Sequence, residues 1–263
     1  MGERVGYYGN SLGDHFGVGH IFLAGEAPGL FYGYVTQGIV QKEDITENGI
    51  KYIKQDGSVG YYQTVNKTTP VAGDVKYVDR NGDGVVDDND RDIIGNPNPD
   101  FTYGFQTKVS WKSLSLSASF NGVQGRDILN VGNRYNNTPG TKSNNVTRKA
   151  FQNMWTDENP SNLYPKSTFV VQNMVMDRYV EDGSYLRCSD ITLSYVLPAK
   201  WTNKIGIKNT SVYASVKNAF VITDYSGYDP EVNSFAFDGL RPGVDMNSYP
   251  TPRSFVFGLN LTF

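Results

Sequence analysis

The sequence predicts an all-β chain whose strands belong to an antiparallel transmembrane β-barrel of the outer-membrane type. Three observations carry that expectation. The last ten residues alternate without a break: Phe255, Phe257, Leu259, Leu261 and Phe263 against Ser254, Val256, Gly258, Asn260 and Thr262. Soluble chains usually fray at a terminus. This one ends on an aromatic residue in an apolar row, the pattern of a strand whose outer face meets lipid. The composition, with 18 Tyr, 14 Phe and 28 Gly but only 38% hydrophobic residues, favours strands and turns. It leaves no apolar run of about 20 residues for a spanning helix. Finally, long and short connections alternate between strands, as the two sides of such a barrel demand.

The elements follow in chain order. The N-terminal MGERVGYYGNSLGDHFG has no apolar signal core, which fits a cytosolic protein, a mature form or an internal piece of a longer chain. Strands are expected at His15–Leu23 and Phe31–Val40. Phe101, Tyr103, Phe105, Val109 and Trp111 share one face, and Thr102, Gln106, Lys108 and Ser110 the other. After a turn at Lys112–Ser113, Leu114, Leu116, Ala118 and Phe120 alternate with Ser115, Ser117 and Ser119, so the pair reads as a hairpin.

From Gly122 to Asp182 runs a polar stretch rich in Asn, Thr, Gly and Pro. At about sixty residues it is too long for an irregular loop in a compact soluble domain, though not for an outer loop. Thr147 to Trp155 is its segment of helical character. The strand pattern resumes at Ser184, with Ile191, Leu193, Tyr195 and Leu197 against Asp190, Thr192 and Ser194. Pro198 stops it, because proline cannot donate to a ladder. A shorter connection, Lys200–Asn209, leads to a strand over Thr210–Thr223, and a longer loop, Asp224–Pro250, leads to the last. With the C-terminus on the periplasmic side, the last strand runs downward. The long loops are then extracellular, and the Lys112 and Lys200 connections periplasmic. The total is about seven strands, fewer than the roughly eight of the smallest such barrels, so an incomplete barrel is expected.

Asp79 to Asp90 reads DRNGDGVVDDND. Asp79, Asn81, Asp83, Asp87 and Asp90 place side-chain oxygens at positions 1, 3, 5, 9 and 12, Gly84 occupies the sharp turn at position 6, and Val85 offers its carbonyl at position 7. Hard oxygen ligands at this spacing suit Ca2+, and Mg2+ less well given the number of side-chain oxygens. The flanks are not EF-hand helices: Lys76–Val78 reads as extended and Ile93–Pro99 as turn-rich. The alternative is a solvated Asn/Asp/Gly turn.

Five segments carry a family resemblance: Gly25–Gln41 (GEAPGLFYGYVTQGIVQ), Gly73–Phe105, Asp182–Pro198, Gly227–Val232 (GYDPEV) and Tyr249–Phe263 (YPTPRSFVFGLNLTF). Together they resemble the C-terminal part of a SusC/RagA-type TonB-dependent outer-membrane transporter. The resemblance implies a plugged barrel of about 22 strands in the outer membrane of a Gram-negative bacterium. It also implies a SusD/RagB-like lipoprotein over the outer face, energy delivered by TonB through the plug, and oligosaccharide or peptide substrates. The plug and earlier strands are missing from the reading, so a fragment, a truncated gene or one subunit of a split transporter is expected.

Other constellations are weaker. The spacing of His15 and His20, the two histidines, suits no shared metal, and no catalytic set emerges. Cys188 reads as a small buried side chain. Asp229–Pro230–Glu231 reads as a turn with exposed carboxylates in preference to a lumen hydrogen-bond network, with Arg253 a candidate partner. Trp155, Tyr164, Tyr225, Tyr228 and Tyr249 are expected in outer loops, to stack on sugars or to form a girdle or lid. A net charge of −3 excludes a broad nucleic-acid surface. The rival function class is an extracellular, calcium-stabilised β-sandwich, adhesin or glycan-binding module.

Overall fold

The computed structural model describes residues 4–8, 19–138, 145–167, 174–202, 207 and 209–262. His15, Asp14 and Phe263 therefore lie outside the described residues. The chain divides into two compact units.

One unit, Pro99–Arg126, Asp182–Glu231 and Tyr249–Phe263, holds a single antiparallel sheet. Its strands are β1 (Phe101–Trp111), β2 (Leu114–Gln124), β3 (Tyr185–Val196), β4 (Asn209–Thr223) and β5 (Ser254–Thr262), neighbours in that order. The two-residue turn between β1 and β2 uses Lys112 at φ 52°, a left-handed position of the kind tight hairpins require. The register turns the sequence alternation into continuous rows. Val109, Leu116, Leu193, Ala214 and Phe257 lie opposite one another across all five strands, as do Trp111, Leu114, Tyr195, Val212 and Leu259. On the other face run Lys108, Ser117, Thr192, Ser215 and Val256, then Gln106, Ser119, Asp190, Lys217 and Ser254.

The apolar rows are uncovered. Trp111 is 68% exposed and Phe257 79%, a contiguous apolar surface that water would not tolerate and that a bilayer would solvate. Two devices keep the sheet regular. A Cβ on Gly258 would meet the Tyr213 ring at 2.2 Å, so glycine lets the aromatic lie across its neighbour strand. Between Cys188 and Asp190 the β3–β4 register slips, and Asn218, at φ 51°, absorbs the bulge in a conformation asparagine tolerates.

The other unit, Met1–Asn98, Asp127–Glu181 and Val232–Ser248, is built from short strands. Arg4–Tyr8, His20–Leu23, Leu30–Tyr34 and Arg91–Gly95 form one four-stranded sheet, and Ile45–Thr46, Gly49–Ile53 and Val59–Tyr62 a second of three strands. Asp127–Asn130 pairs with Val180–Asp182 and with Val244–Asp245. The core is rich in tyrosine: Tyr34, Tyr52, Tyr62 and Tyr77 are buried with Phe31, Val40, Ile50, Val86 and Met176. Buried phenols need partners. Tyr52 Oη donates to Asp79 O at 2.6 Å and Tyr62 Oη accepts from Tyr77 N at 3.1 Å.

Several expectations are revised here. The His15–Leu23 and Phe31–Val40 strands do form, as His20–Leu23 and as Leu30–Tyr34 plus Thr36–Ile39. Among the described residues, though, they pair within the short-stranded unit, and the long sheet has five strands, not seven. Ile93–Pro99 is not all turn, since Arg91–Gly95 pairs with Leu30–Tyr34. The long polar stretch contains Asp127–Asn130 and the helices α1 (Val131–Asn137) and α2 (Arg148–Asn153). Thr147 caps α2, its side chain accepting from Ala150 N, which is the helix expected at Thr147–Trp155.

His20 makes this unit acid-sensitive. Its ring is fully buried, Nε2 donates to Pro242 O at 3.0 Å, and Nδ1 has no hydrogen-bond partner. Burial lowers its pKa from 6.5 to about 4, aided by Arg241 and opposed by the bond to Pro242 and the charge of Asp238. The folded state thus holds the ring neutral while the unfolded chain takes up a proton below 6.5. Stability is full above that pH and falls as pH drops from 6.5 towards 4. Melting at pH 7 and pH 5 checks this: His20→Gln is expected to flatten the difference, and an equal loss in both proteins would refute it.

Candidate functional site

The acidic loop is in the short-stranded unit. It is fixed from outside at its start and its middle: Tyr52 holds the carbonyl of Asp79, and Val85–Val86 pairs in parallel with Thr64–Val65. Val86 is fully buried, the apolar anchor of the loop. Asp79 and Asp90 are buried as well. Asp79 accepts from Gly82 N at 2.7 Å and Gly84 N at 2.8 Å. Asp90 accepts from Arg80 N and Asp87 N, each at 2.8 Å, and from Asn81 N at 3.3 Å. Asp87 caps the short 3-10 turn Asp88–Asp90 by accepting from Asn89 N at 2.8 Å. Asp83 accepts from Val85 N and from the Asn81 side chain.

Every predicted ligand side chain therefore already serves a backbone N–H or, for Asn81 and Asp83, each other. The carboxylates do not simply repel, because polarised N–H groups compensate them, while the Arg80 guanidinium pairs with Asp92, outside the loop, at 2.7 Å. Among the described residues no three His, Cys, Asp or Glu side chains gather in a way that could hold a metal ion. Burial pushes the Asp90 carboxyl up, and the N–H donors of Asp87, Asn81 and Arg80 pull it back. Burial and the charges of Asp79 and Asp90 push Tyr52 to about 12. Asp90→Ala would leave buried N–H groups unpaired. It is expected to cost about 1–3 kcal/mol, read as a lower denaturant midpoint, and an unchanged midpoint would refute the role.

In the long-sheet unit two polar clusters stand out. On the polar face, Asp190 pairs with Lys217 at 2.5 Å and accepts from Thr192 Oγ1 at 2.7 Å and Ser215 Oγ at 2.8 Å. At the end of the sheet where the long connections enter, Arg187 Nη2 meets Asp229 Oδ1 at 2.5 Å, both residues buried. Arg187 Nε lies 3.1 Å from Glu231 Oε2, close enough for attraction but not aligned as a hydrogen bond. Tyr185 Oη and Asn121 Nδ2 donate to Glu231 Oε1 at 2.7 and 3.0 Å, Arg126 Nη2 donates to Pro230 O at 2.6 Å, and Asp229 Oδ2 accepts from Thr251 N at 3.0 Å. Burial alone would raise the Asp229 pKa. The N–H groups of Glu231 and Thr251 and the Arg187 charge outweigh it and hold the carboxyl below its usual range.

Asp229 and Pro230 thus form a buried clasp between the β4–β5 connection and strands β2 and β3, whereas Glu231 is exposed, as expected for this turn. Its cation is Arg187, while Arg253 approaches Asn218 O at 3.5 Å. Arg187 was missed because a mid-strand arginine gives no local sign of its partner. A charged residue in a strand flanked by apolar ones was the available signal. Of the aromatic residues expected in outer loops, Trp155, Tyr164 and Tyr225 are buried, and Trp155 Nε1 donates to Gln41 Oε1 at 3.0 Å. They have no free face for a sugar. Tyr228 and Tyr249 are 72% and 91% exposed. Cys188 is fully buried, as expected.

The long sheet, apolar and uncovered on one face, hydroxyl-rich and charged on the other, is that of an outer-membrane-type β-barrel. No family model matches the chain. It is 35% identical over 201 residues to the TonB-dependent receptor P26 of Formosa agariphila, covering 73% of this chain and 20% of that protein. It is 33% identical over 248 residues to receptor P3 of the same organism, covering 92% and 23%. With the TonB-dependent receptor SusC of Bacteroides thetaiotaomicron the identity is 34% over 194 residues, covering 71% and 17%. The solved RagAB peptide importer in its open-open state superposes with a TM-score of 0.63 at 26% identity, over 93% of this chain and 23% of that one. The chain belongs to the SusC/RagA-type TonB-dependent outer-membrane transporters. It spans about a quarter or less of the length of these relatives.

Proposed function

We propose that this chain supplies the closing barrel strands of a TonB-dependent importer of oligosaccharides or peptides in the outer membrane of a Gram-negative bacterium. The remaining strands and plug complete the barrel, a SusD/RagB-like lipoprotein works on its outer face, and TonB acts through the plug. The observation that carries this reading is the five-stranded meander with its faces sorted, apolar rows against hydroxyl and charged rows. The register supports it further, placing both long connections at one end of the sheet and both short ones at the other. A β-sandwich would bury Phe257 and Trp111 against a second sheet, and both are exposed. Deleting the encoding gene is expected to abolish growth on one class of oligosaccharide or peptide and to leave growth on the monomers intact. A protein soluble and monomeric in plain buffer would sink the reading.

The Asp79–Asp90 loop is proposed as a structural staple whose oxygens serve backbone donors. Ca2+ titration decides between this and the ion reading. The staple predicts a melting temperature unmoved by Ca2+ in wild type and in Asp83→Ala alike, whereas a rise in wild type alone would assign the loop to the ion.

A further inference from the structure

Resting on the barrel reading above, the geometry points to a binding surface for anionic phospholipid headgroups at the short-connection end of the long sheet. Two connections lie side by side there. Ser113 O accepts from Val196 N at 2.9 Å, and Leu197 N donates to Thr210 O at 2.9 Å, so the β1–β2 turn abuts the start of the β3–β4 connection. That connection opens with a short helix, Ala199–Thr202. Trp111 and Trp201 are 68% and 58% exposed, and Lys112 and Lys200 are exposed beside them. Lys112 Nζ sits 4.8 Å from the centroid of the Trp111 ring.

Charge decides the partner. No Asp or Glu occurs from Phe101 to Arg126, from Ile191 to Thr223, or from Ser254 to Phe263. The acidic residue within the five strands is Asp190, held on the polar face by Lys217. Among the described residues neither Lys112 nor Lys200 has an ion pair. Exposed indoles settle at headgroup depth, and an ammonium held at that depth with no acidic partner among the described residues attracts a phosphate. The adjoining row Trp111, Leu114, Tyr195, Val212 and Leu259 is the apolar strip along which the acyl chains of the same lipid would lie. A phospholipid of net negative charge satisfies both halves, whereas a zwitterionic one carries its own cation into the site.

The protein extracted from its membrane in non-ionic detergent tests this by native mass spectrometry. The probes are equimolar phosphatidylglycerol and phosphatidylcholine with the same acyl chains. Wild type is expected to retain phosphatidylglycerol preferentially, by about fivefold for each lysine engaged. Lys112→Gln/Lys200→Gln should lose the preference, and Lys108→Gln, on the polar face, should keep it. Equal retention of the two lipids by wild type, or a preference that survives in the double variant, would overturn the inference. The barrel is scored separately, by detergent extraction and the heat-dependent gel shift. A folded barrel without lipid preference therefore sinks this inference alone, and a chain that needs no detergent sinks both readings.

Discussion

Asp229→Ala is expected to destabilise the long-sheet unit by about 3 kcal/mol, the lower part of the 3–5 kcal/mol range for breaking one side of a buried ion pair. Asp229 and Arg187 are both buried and meet at 2.5 Å. Removing the carboxylate leaves a guanidinium away from water, with Glu231 at 3.1 Å as its remaining counter-charge. That residual attraction is why the cost falls at the lower end. The backbone donors of Glu231 and Thr251 also lose their acceptor. The double variant Arg187→Met/Asp229→Leu should cost less than Asp229→Ala, because no orphaned charge remains. Two measurements report it: the denaturant midpoint of the purified protein in detergent, and the rate of proteolytic cleavage between residues 224 and 253. A variant as resistant as wild type in both would mean that the clasp does not hold this connection.

Leu193→Arg is expected to cost about 1–2 kcal/mol in lipid, between the roughly 2–4 of a cation at the midplane of the bilayer-facing side and the roughly 0–1 near an interface, because Leu193 lies one row in from Tyr195. Leu193 lies in the central strand, in the middle of a row whose five members are all apolar. The neighbouring Ser194 lies on the opposite face, in register with Ser115 and Tyr213. Arginine there meets polar neighbours and should cost much less. Reversible unfolding from liposomes measures both. In a water-exposed sheet Leu193→Arg would be close to neutral, so equal behaviour of the two variants would refute the assignment of faces. The pair is informative because the two positions are adjacent in sequence and share backbone conformation. Only what solvates each face differs.

Much of the long sheet was legible from sequence. Alternation over Phe101–Trp111, Leu114–Phe120, Ile191–Leu197, Thr210–Thr223 and Ser254–Phe263 named all five of its strands within a few residues. Pro198 marked one end and Lys112–Ser113 one turn. These signals are local. Successive side chains on a strand point to opposite faces whatever the rest of the chain does, so the two faces can be read before any partner is known. The twelve-residue spacing of the acidic loop was local too; it fits a Ca2+ loop and an Asn/Asp/Gly turn alike, and Asp79, Asp83 and Asp87 accept from N–H groups two to five residues on.

What the tertiary structure alone decided is who meets whom. The carboxylates of Asp79 and Asp90 are directed to backbone N–H groups by the fold of their own loop, which Tyr52 and Thr64–Val65 pin from other strands. Trp155, Tyr164 and Tyr225 look in sequence like Tyr228 and Tyr249, yet three are buried and two are exposed. Arg187 finds Asp229 across 42 positions of chain. Burial and pairing depend on contacts between distant segments, and no periodicity within either segment encodes them. The sequence by itself determined the faces of the strands, because covalent geometry sets a period of two. The structure determined the clasp, the pinning of the acidic loop and the tyrosine core, because each exists only where separated stretches of chain are packed together.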